Sequence, residues 1–385
     1  MLATSQSRIV GYLPDYRISA IDDSVGKYLS DLIFFSLEPT SGGKLDDSRF
    51  TSAFGNKLIR IKNEYGIRIH LALGGWGRSS GFAAMAGNDS LRADFIAELI
   101  DFCVANEFDG IDYDWEFPAN QNEVNAYTNL IVETKNAVGP YNLIVTSALN
   151  IYQDLNPAAY QALDHIYVMS YDHDGAHATY EQAVSDIIVF LNRGILPAKL
   201  YLGVPFYGRH ITNRTAYTYA EIIAAYHPSP EIDQVDGIYF NGIETIKKKT
   251  KYAIDTAIGG IMIWEVGQDT GDSTSLLAAV SQTFAEMSGI AGNLEKSAGK
   301  YLLNQNYPNP FNLSTTIEFQ IPNSEFVTLK IYNMLGQEVK TLISERYAQG
   351  FYTFHADGTN LASGVYYYEL VAGDFRKVKK MILLR

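Results

Sequence analysis

The chain has 385 residues, 47% of them hydrophobic and 19% charged, which is enough apolar material for one large core and a small second domain and too much for global disorder. Its net charge of −13 is concentrated in residues 1–300, with 22 Lys and Arg against 36 Asp and Glu, while residues 301–385 hold 8 against 7. So acidic a large part argues against nucleic acid or an anionic membrane as partner, whereas a neutral polymer such as a polysaccharide is indifferent to the sign.

No apolar run is long enough to span a bilayer, and the start lacks the charged-then-apolar pattern of a signal peptide; the mature chain is expected to begin near Gln6. Cys103 is the only cysteine, so no intrachain disulfide can form. Its place in the helical run Leu91 to Glu107 makes it a small buried apolar residue.

Eight short β-branched and aromatic runs recur with helical segments between them: Arg8 to Pro14, Asp31 to Leu37, Arg68 to Gly74, Gly110 to Glu116, Asn142 to Leu149, Asp164 to Tyr171, Lys199 to Pro205 and Gly259 to Trp264. Each is almost continuously apolar, the mark of parallel strands covered on both faces. Over about 250 residues the natural closure is an α/β fold of the (β/α)₈ barrel type. A doubly wound open sheet is the alternative, and it needs a Gly-rich phosphate turn that Gly74-Gly75-Trp76-Gly77 does not supply. The segment Phe206 to Ile258 holds a helix at Tyr219 to Tyr226, another around Ile243 to Tyr252 and little more, which predicts a groove with one low wall.

After Glu286 the residues turn small and polar, and Ser288 to Gly299 reads as a linker. Beyond it, Thr315 to Gln320, Phe326 to Tyr332, Gly350 to His355 and Gly364 to Val371 alternate like strands, with turn signals such as Asp357-Gly358. The expected organisation is a barrel over residues 6–287, a linker over 288–300 and a smaller all-β sandwich over 301–385.

The fourth run carries the chemistry. Phe108 to Pro118 packs Asp109, Asp112, Asp114 and Glu116 among apolar neighbours. Period-two alternation sends Asp112, Asp114 and Glu116 to one face and Tyr113, Trp115 and Phe117 to the other. The apolar face says that the strand is buried. Three acids in a row on its inner face repel one another, so at least one holds a proton at neutral pH and is a general acid in waiting. An exposed edge strand or a calcium loop is the bland reading, but a calcium loop carries Gly, Asn and Asp between its ligands rather than Tyr, Trp and Phe.

In such a barrel the chemistry sits at the C-terminal ends of the strands. Those ends offer Tyr12, then Gly74, Gly75 and Trp76, then Asp114 and Glu116, then Met169, Tyr171 and Asp172, then Tyr207 and Arg209, and finally Trp264 and Glu265. Tyr12 and Tyr207 could equally be mouth packing, and Arg209 a surface ion pair. His173, Asp174 and His177 invite a metal reading, but no compact set of three spaced ligands appears, and a solvated loop is expected.

Asp109, Asp112, Asp114 and Glu116 fill the pattern D-x-x-D-x-D-x-E, and this stretch resembles the active-site signature of glycoside hydrolase family 18, the chitinases and their relatives. Val10-Gly11-Tyr12, Met169-Ser170-Tyr171-Asp172, Gly203 to Arg209 and Gly259 to Trp264 resemble the family's first, sixth, seventh and eighth strands, so that the likeness covers roughly Arg8 to Met287. The resemblance implies Glu116 as acid, Asp114 as the residue that orients the substrate's N-acetyl group, Asp112 as its proton-sharing neighbour and Tyr171 as a donor to the acetamide oxygen. It makes Tyr12, Gly75, Trp76, Met169, Asp172, Tyr207, Arg209 and Trp264 substrate-binding, with no metal and no organic cofactor. One departure stands out: the family's S-x-G-G is Ala72-Leu73-Gly74-Gly75 here, which leaves Tyr12 as the expected hydroxyl on Asp112.

In the tail, Tyr307-Pro308-Asn309-Pro310-Phe311-Asn312, Leu335 to Val339 and Lys380 to Arg385 resemble the C-terminal sorting domains of the type IX secretion system, which implies export and the secretion machinery as partner. The two resemblances together imply a secreted, retaining chitinase acting within chains of β-1,4-linked N-acetylglucosamine, in chitin or its oligosaccharides. An endo-β-N-acetylglucosaminidase acting on N-glycans and a chitin-binding lectin without turnover are the alternatives; Met169 to Asp172 with Trp264 disfavours the first, Glu116 the second.

Overall fold

The structure, a computed structural model, describes residues 8–295, 301–306, 309–359 and 361–384. The expected start near Gln6, the end of the linker (296–300), and Tyr307, Pro308 and Arg385 of the tail motifs lie outside the described residues. The chain divides into a larger unit of residues 1–254 and 258–284 and a smaller one that includes 285–385.

The larger unit is a closed parallel barrel of eight strands: β1 (Arg8–Pro14), β2 (Asp31–Pro39), β3 (Arg68–Gly74), β4 (Gly110–Asp114), β5 (Ile144–Leu149), β6 (His165–Val168), β7 (Leu200–Pro205) and β8 (Gly260–Trp264). Each strand pairs in parallel with the next, and β1 pairs with both β2 and β8. That closure excludes the open doubly wound sheet. Alternation sorts the side chains into two cores. Val10, Tyr12, Ile33, Phe35, Ala72, Tyr167, Tyr201 and Met262 fill the barrel interior, while Leu32, Phe34, Leu71, Leu73, Ile111 and Tyr113 pack outward beneath the helices.

Helix starts are fixed locally. Thr51 caps Ser52–Tyr65, Asn88 caps Asp89–Ala105, and Thr179 with Gln182 forms a capping box at Tyr180–Asn192. Cys103 lies fully buried on the second of these helices, and burial pushes its thiol up. No helix among the described residues is long and apolar enough to cross a membrane.

Three sequence readings need correction. The fourth strand ends at Asp114 rather than Glu116, because the Gly75 amide takes the Asp114 carbonyl at 2.6 Å and the Glu116 amide donates to Ser79 Oγ at 3.0 Å. Strand alternation therefore no longer directs Phe117, which is 39% exposed instead of packed with Tyr113 and Trp115. Second, residues 206–258 hold more than two helices: Tyr207–His210, Ala216–Thr218, Gln234–Val235 and Ile238–Tyr239 form a four-stranded antiparallel sheet alongside the helices Tyr219–Tyr226 and Ile243–Asp255. Third, the helix Leu276–Glu295 continues into the segment expected as linker.

The smaller unit is a sandwich of two antiparallel sheets. Leu302–Leu303, Ser314–Ile321 and Gly350–Asp357 form one; Glu338–Tyr347, Glu325–Tyr332, Gly364–Ala372 and Phe375–Leu383 form the other. Ile317, Phe319, Val327, Leu329, Tyr368 and Leu370 face inward as its own core.

Candidate active site

The β4 acids rise through the barrel in order. Asp112 is fully buried, with both carboxylate oxygens occupied: the Tyr12 hydroxyl donates to Oδ2 at 2.6 Å and the Thr146 hydroxyl to Oδ1 at 2.6 Å. Burial pushes it up to about 6 even though the two donors pull the other way. Asp114, one layer higher, is 3% exposed, and its Oδ1 has no hydrogen-bond partner among the described residues. Burial, then the charges of Glu116 and Asp112, raise it well above the carboxylate range. Glu116 follows on the loop just past the strand end; burial and the charge of Asp172 push it up to about 7, against a hydrogen bond from the Trp76 amide. The three acids repel one another in a poorly solvated place, so they cannot all be charged at neutral pH.

The wall opposite is electrostatically different. Asp172 sits on the loop after β6 with a left-handed backbone (φ 65°). Its carboxylate accepts from the Tyr207 hydroxyl at 2.7 Å and from Nη2 of Arg209 at 2.7 Å. Burial opposes its charge, but the His177 ring 3.6 Å away and the hydrogen bonds from Arg209 and Tyr207 outweigh that and hold it well below the usual carboxylate range. One carboxylate kept charged faces another kept protonated, the division of labour that acid catalysis needs.

These groups line a groove of about 1030 Å³. Trp264 forms its floor, its ring edge-on to Phe35 at 4.6 Å and tilted over Tyr12 at 5.5 Å. Met169, Tyr171, Tyr207 and Tyr217 line its sides, while Trp76 and Tyr152, 80% and 83% exposed, present flat apolar rings on the lining. Such a mixture of rings and a few convergent polar groups fits a sugar, whose faces are apolar and whose edges donate and accept.

Of the residues singled out from sequence, Asp114, Glu116, Trp76, Met169, Tyr171, Asp172, Tyr207, Arg209 and Trp264 share this one groove. The others are not on its lining, and Asp112 lies buried at the foot of the acid stack. Tyr12 is fully buried beneath the floor, where its hydroxyl serves Asp112 instead of a ligand. Gly75 is a backbone requirement: its φ is +97°, its amide is spent on Asp114, and a Cβ there would come within 2.1 Å of the Phe35 ring. Glu265 is buried and paired with Arg17 at 3.1 Å. The loop 172–178 is solvated only in part: Asp172 and Asp174 are exposed, but His177 is fully buried against the Tyr207 ring at 5.1 Å and His173 pairs with Asp186 at 2.9 Å. Among the described residues no group of three or more His, Cys, Asp or Glu side chains is placed to hold a metal.

The antiparallel sheet missed from sequence gives the groove a wall through Arg214, Ala216, Tyr217, Thr218 and, at the start of the next helix, Glu221. Sequence reasoning also missed Phe117, Tyr152 and Thr146. Only Thr146 had a signal, since it stands directly opposite Asp112 once strands four and five are placed in register.

Residues 8–269 match the family model described as glycosyl hydrolases family 18, and residues 305–384 match that of a secretion system C-terminal sorting domain. The chain is 22% identical to "Probable chitinase 2" of Drosophila melanogaster over 66% of this chain and 65% of that protein. It is 25% identical to "Probable chitinase 10" of the same fly over 56% of this chain and 13% of that protein, so it spans less than two thirds of either relative. Among solved structures it resembles the GH18 chitinase ChiB from the chitin utilization locus of Flavobacterium johnsoniae, with a TM-score of 0.67 and 28% identity, over 73% of this chain and 95% of that one. A chitinase from Bacteroides thetaiotaomicron shares the fold, with a TM-score of 0.68 and 21% identity, over 73% and 97% of the two chains.

Proposed function

Because the chain belongs to glycosyl hydrolase family 18, whose model matches residues 8–269 of its 385, we propose that it is an exported chitinase that hydrolyses β-1,4 linkages between N-acetylglucosamine units with retention of configuration. The observation that carries this reading is the stack of Asp112, Asp114 and Glu116, with the outermost acid held protonated near neutrality at the edge of an aromatic groove.

The scheme is substrate-assisted, as is usual in this family, where the substrate's own acetamide replaces the second carboxylate that most glycosidases use. Glu116 gives its proton to the glycosidic oxygen as the bond from the anomeric carbon breaks. The acetamide oxygen of the same sugar attacks that carbon from the other side and closes an oxazolinium ring. Asp114, with an unpartnered oxygen inside the site, takes the acetamide N–H and faces the developing positive charge. The proton it shares with Asp112 moves toward Asp112 as that charge grows. Water, deprotonated by Glu116, then opens the ring and restores the acid. Tyr171 donates to the acetamide oxygen, and Trp264 supports the sugar face.

Cleavage within long chains is supported by the exposed rings of Trp76 and Tyr152 on the lining, not by a missing wall. Export is supported by the match of residues 305–384. Following the anomeric form of products released from soluble chitooligosaccharides, beside a glycoprotein control, tests the reading. Early β-anomer from the chitooligosaccharide alone is expected. Release from the glycoprotein only, or an initial α-anomer, contradicts it.

A further inference from the structure

The 206–255 insertion does more than wall the groove. Its side chains grip the segment Asp172–Ala178 at several points. Tyr207 and Arg209 hold the Asp172 carboxylate. Arg214 donates to the carbonyls of Asp172 at 2.9 Å and His173 at 2.5 Å. Asn241 Nδ2 and Lys249 Nζ both donate to the Ala178 carbonyl, at 2.7 and 2.9 Å, and Lys249 also donates to Asn241 Oδ1 at 2.8 Å.

Lys249 is the unusual member. It is fully buried, and among the described residues no carboxylate lies within ion-pair distance of its Nζ. Asp233, Asp186 and Glu181 act on it only at longer range, and burial pushes its ammonium down to about 7. A buried ammonium without a counter-ion costs several kcal/mol, which its two hydrogen bonds to neutral acceptors offset only in part. Stability therefore does not explain it. Position does. The Ala178 carbonyl that it holds is one residue from His177, whose Nδ1 accepts the Asp172 amide at 3.4 Å. That amide belongs to the left-handed residue of the groove wall, a conformation that persists only when its surroundings enforce it.

On the functional reading above, we propose that Lys249 is a positioning residue for the reaction: by fixing the Ala178 carbonyl it locks the 172–178 segment, and with it Asp172, against the insertion. It touches no substrate. The catalytic wall is thus set by the helix Ile243–Asp255, behind the groove.

The test is a double-mutant cycle in the full chain. Lys249→Met is expected to lower kcat/KM on soluble chitooligosaccharides about 10- to 100-fold, the range for a small misplacement of a site, while the melting temperature changes little, because relief of the buried charge offsets the Asn241 oxygen left without its donor. In an Asp172→Ala background the same change is expected to cost less than about twofold, because the group being positioned is gone. Equal losses in both backgrounds, or undiminished turnover in Lys249→Met, overturn the proposal. Should the Met variant be recovered unfolded, Lys249→Gln, whose amide reaches less far, takes its place in the cycle under the same criterion. Amide exchange over residues 172–178 reads the lock without turnover: at least about tenfold faster exchange in the Lys249 variant is expected, and unchanged protection overturns the proposal. A protein inactive on chitooligosaccharides but showing that faster exchange would sink the chitinase reading and leave the lock standing.

Discussion

The Thr146 hydroxyl donates to Oδ1 of Asp112 at 2.6 Å from the position directly opposite it in the barrel register. With Tyr12 on Oδ2, the lowest acid of the stack has a hydroxyl on each oxygen, although the serine usual in the third strand is Ala72 here. The expectation that Tyr12 alone would support Asp112 is thereby corrected.

Removing that hydroxyl reads out the role of Asp112. Both hydrogen bonds favour the charged form, so Thr146→Val is expected to raise Asp112 further above its value of about 6. The acid limb of kcat/KM, which needs a charged group in the Asp112–Asp114 pair, moves to higher pH. The alkaline limb, set by Glu116 near 7, stays. Ala72→Ser, which adds a third donor to an already occupied carboxylate, is expected to move the acid limb less. A pH profile in which Ala72→Ser shifts more than Thr146→Val speaks against this assignment.

At the other end of the barrel the fully buried Asp31 accepts from Arg68 Nε at 2.6 Å and from Ser30 at 2.7 Å, with His70 Nε2 at 3.2 Å. Burial opposes its charge, but His70, Ser30 and Arg8 lower its pKa overall. A depressed carboxylate stabilises the fold above its unfolded value near 4, and that contribution is lost as pH falls through the lower folded value. Asp31→Ala is expected to cost roughly 1–3 kcal/mol at pH 7, the loss of charged hydrogen bonds, because Arg68 and Arg8, 30% and 38% exposed, keep water in place of their carboxylate. The deficit should shrink in melts at pH 3. A deficit that is the same at both pH values argues that Asp31 acts through packing alone.

Residues 301–385 carry their own core, and the candidate site lies wholly in the barrel. Ending the chain after Gly299 is expected to leave turnover of short oligosaccharides within about twofold, the effect of a truncation remote from the chemistry. Export in a host that owns the secretion machinery should be abolished. Loss of most activity toward a trimer in the shortened protein shows instead that the units are coupled.

The barrel was legible because its strands are nearly continuous apolar runs, and the acids stood out because Tyr113 and Trp115 mark the same segment as buried. What was not legible depends on contacts distant in sequence. The end of the fourth strand is set by Gly75 and Ser79, and no local pattern shows that Phe117 turns toward the groove. The extra sheet is built of strands of two to four residues, too short for a period-two signal. His177 and Lys249 look like surface residues in sequence, and only the insertion folded over the loop buries them.

The central claim is that Glu116 transfers the proton while other groups hold the sugar. Glu116→Gln keeps the shape and removes the acid. Turnover of soluble chitooligosaccharides should fall by about 10²- to 10⁴-fold, the usual contribution of a general acid. Affinity, measured calorimetrically on the same variant, should stay within about tenfold, or roughly 1.4 kcal/mol, since Trp264, Tyr171 and Asp114 remain. An undiminished rate in Glu116→Gln contradicts the assignment of acid and mechanism together.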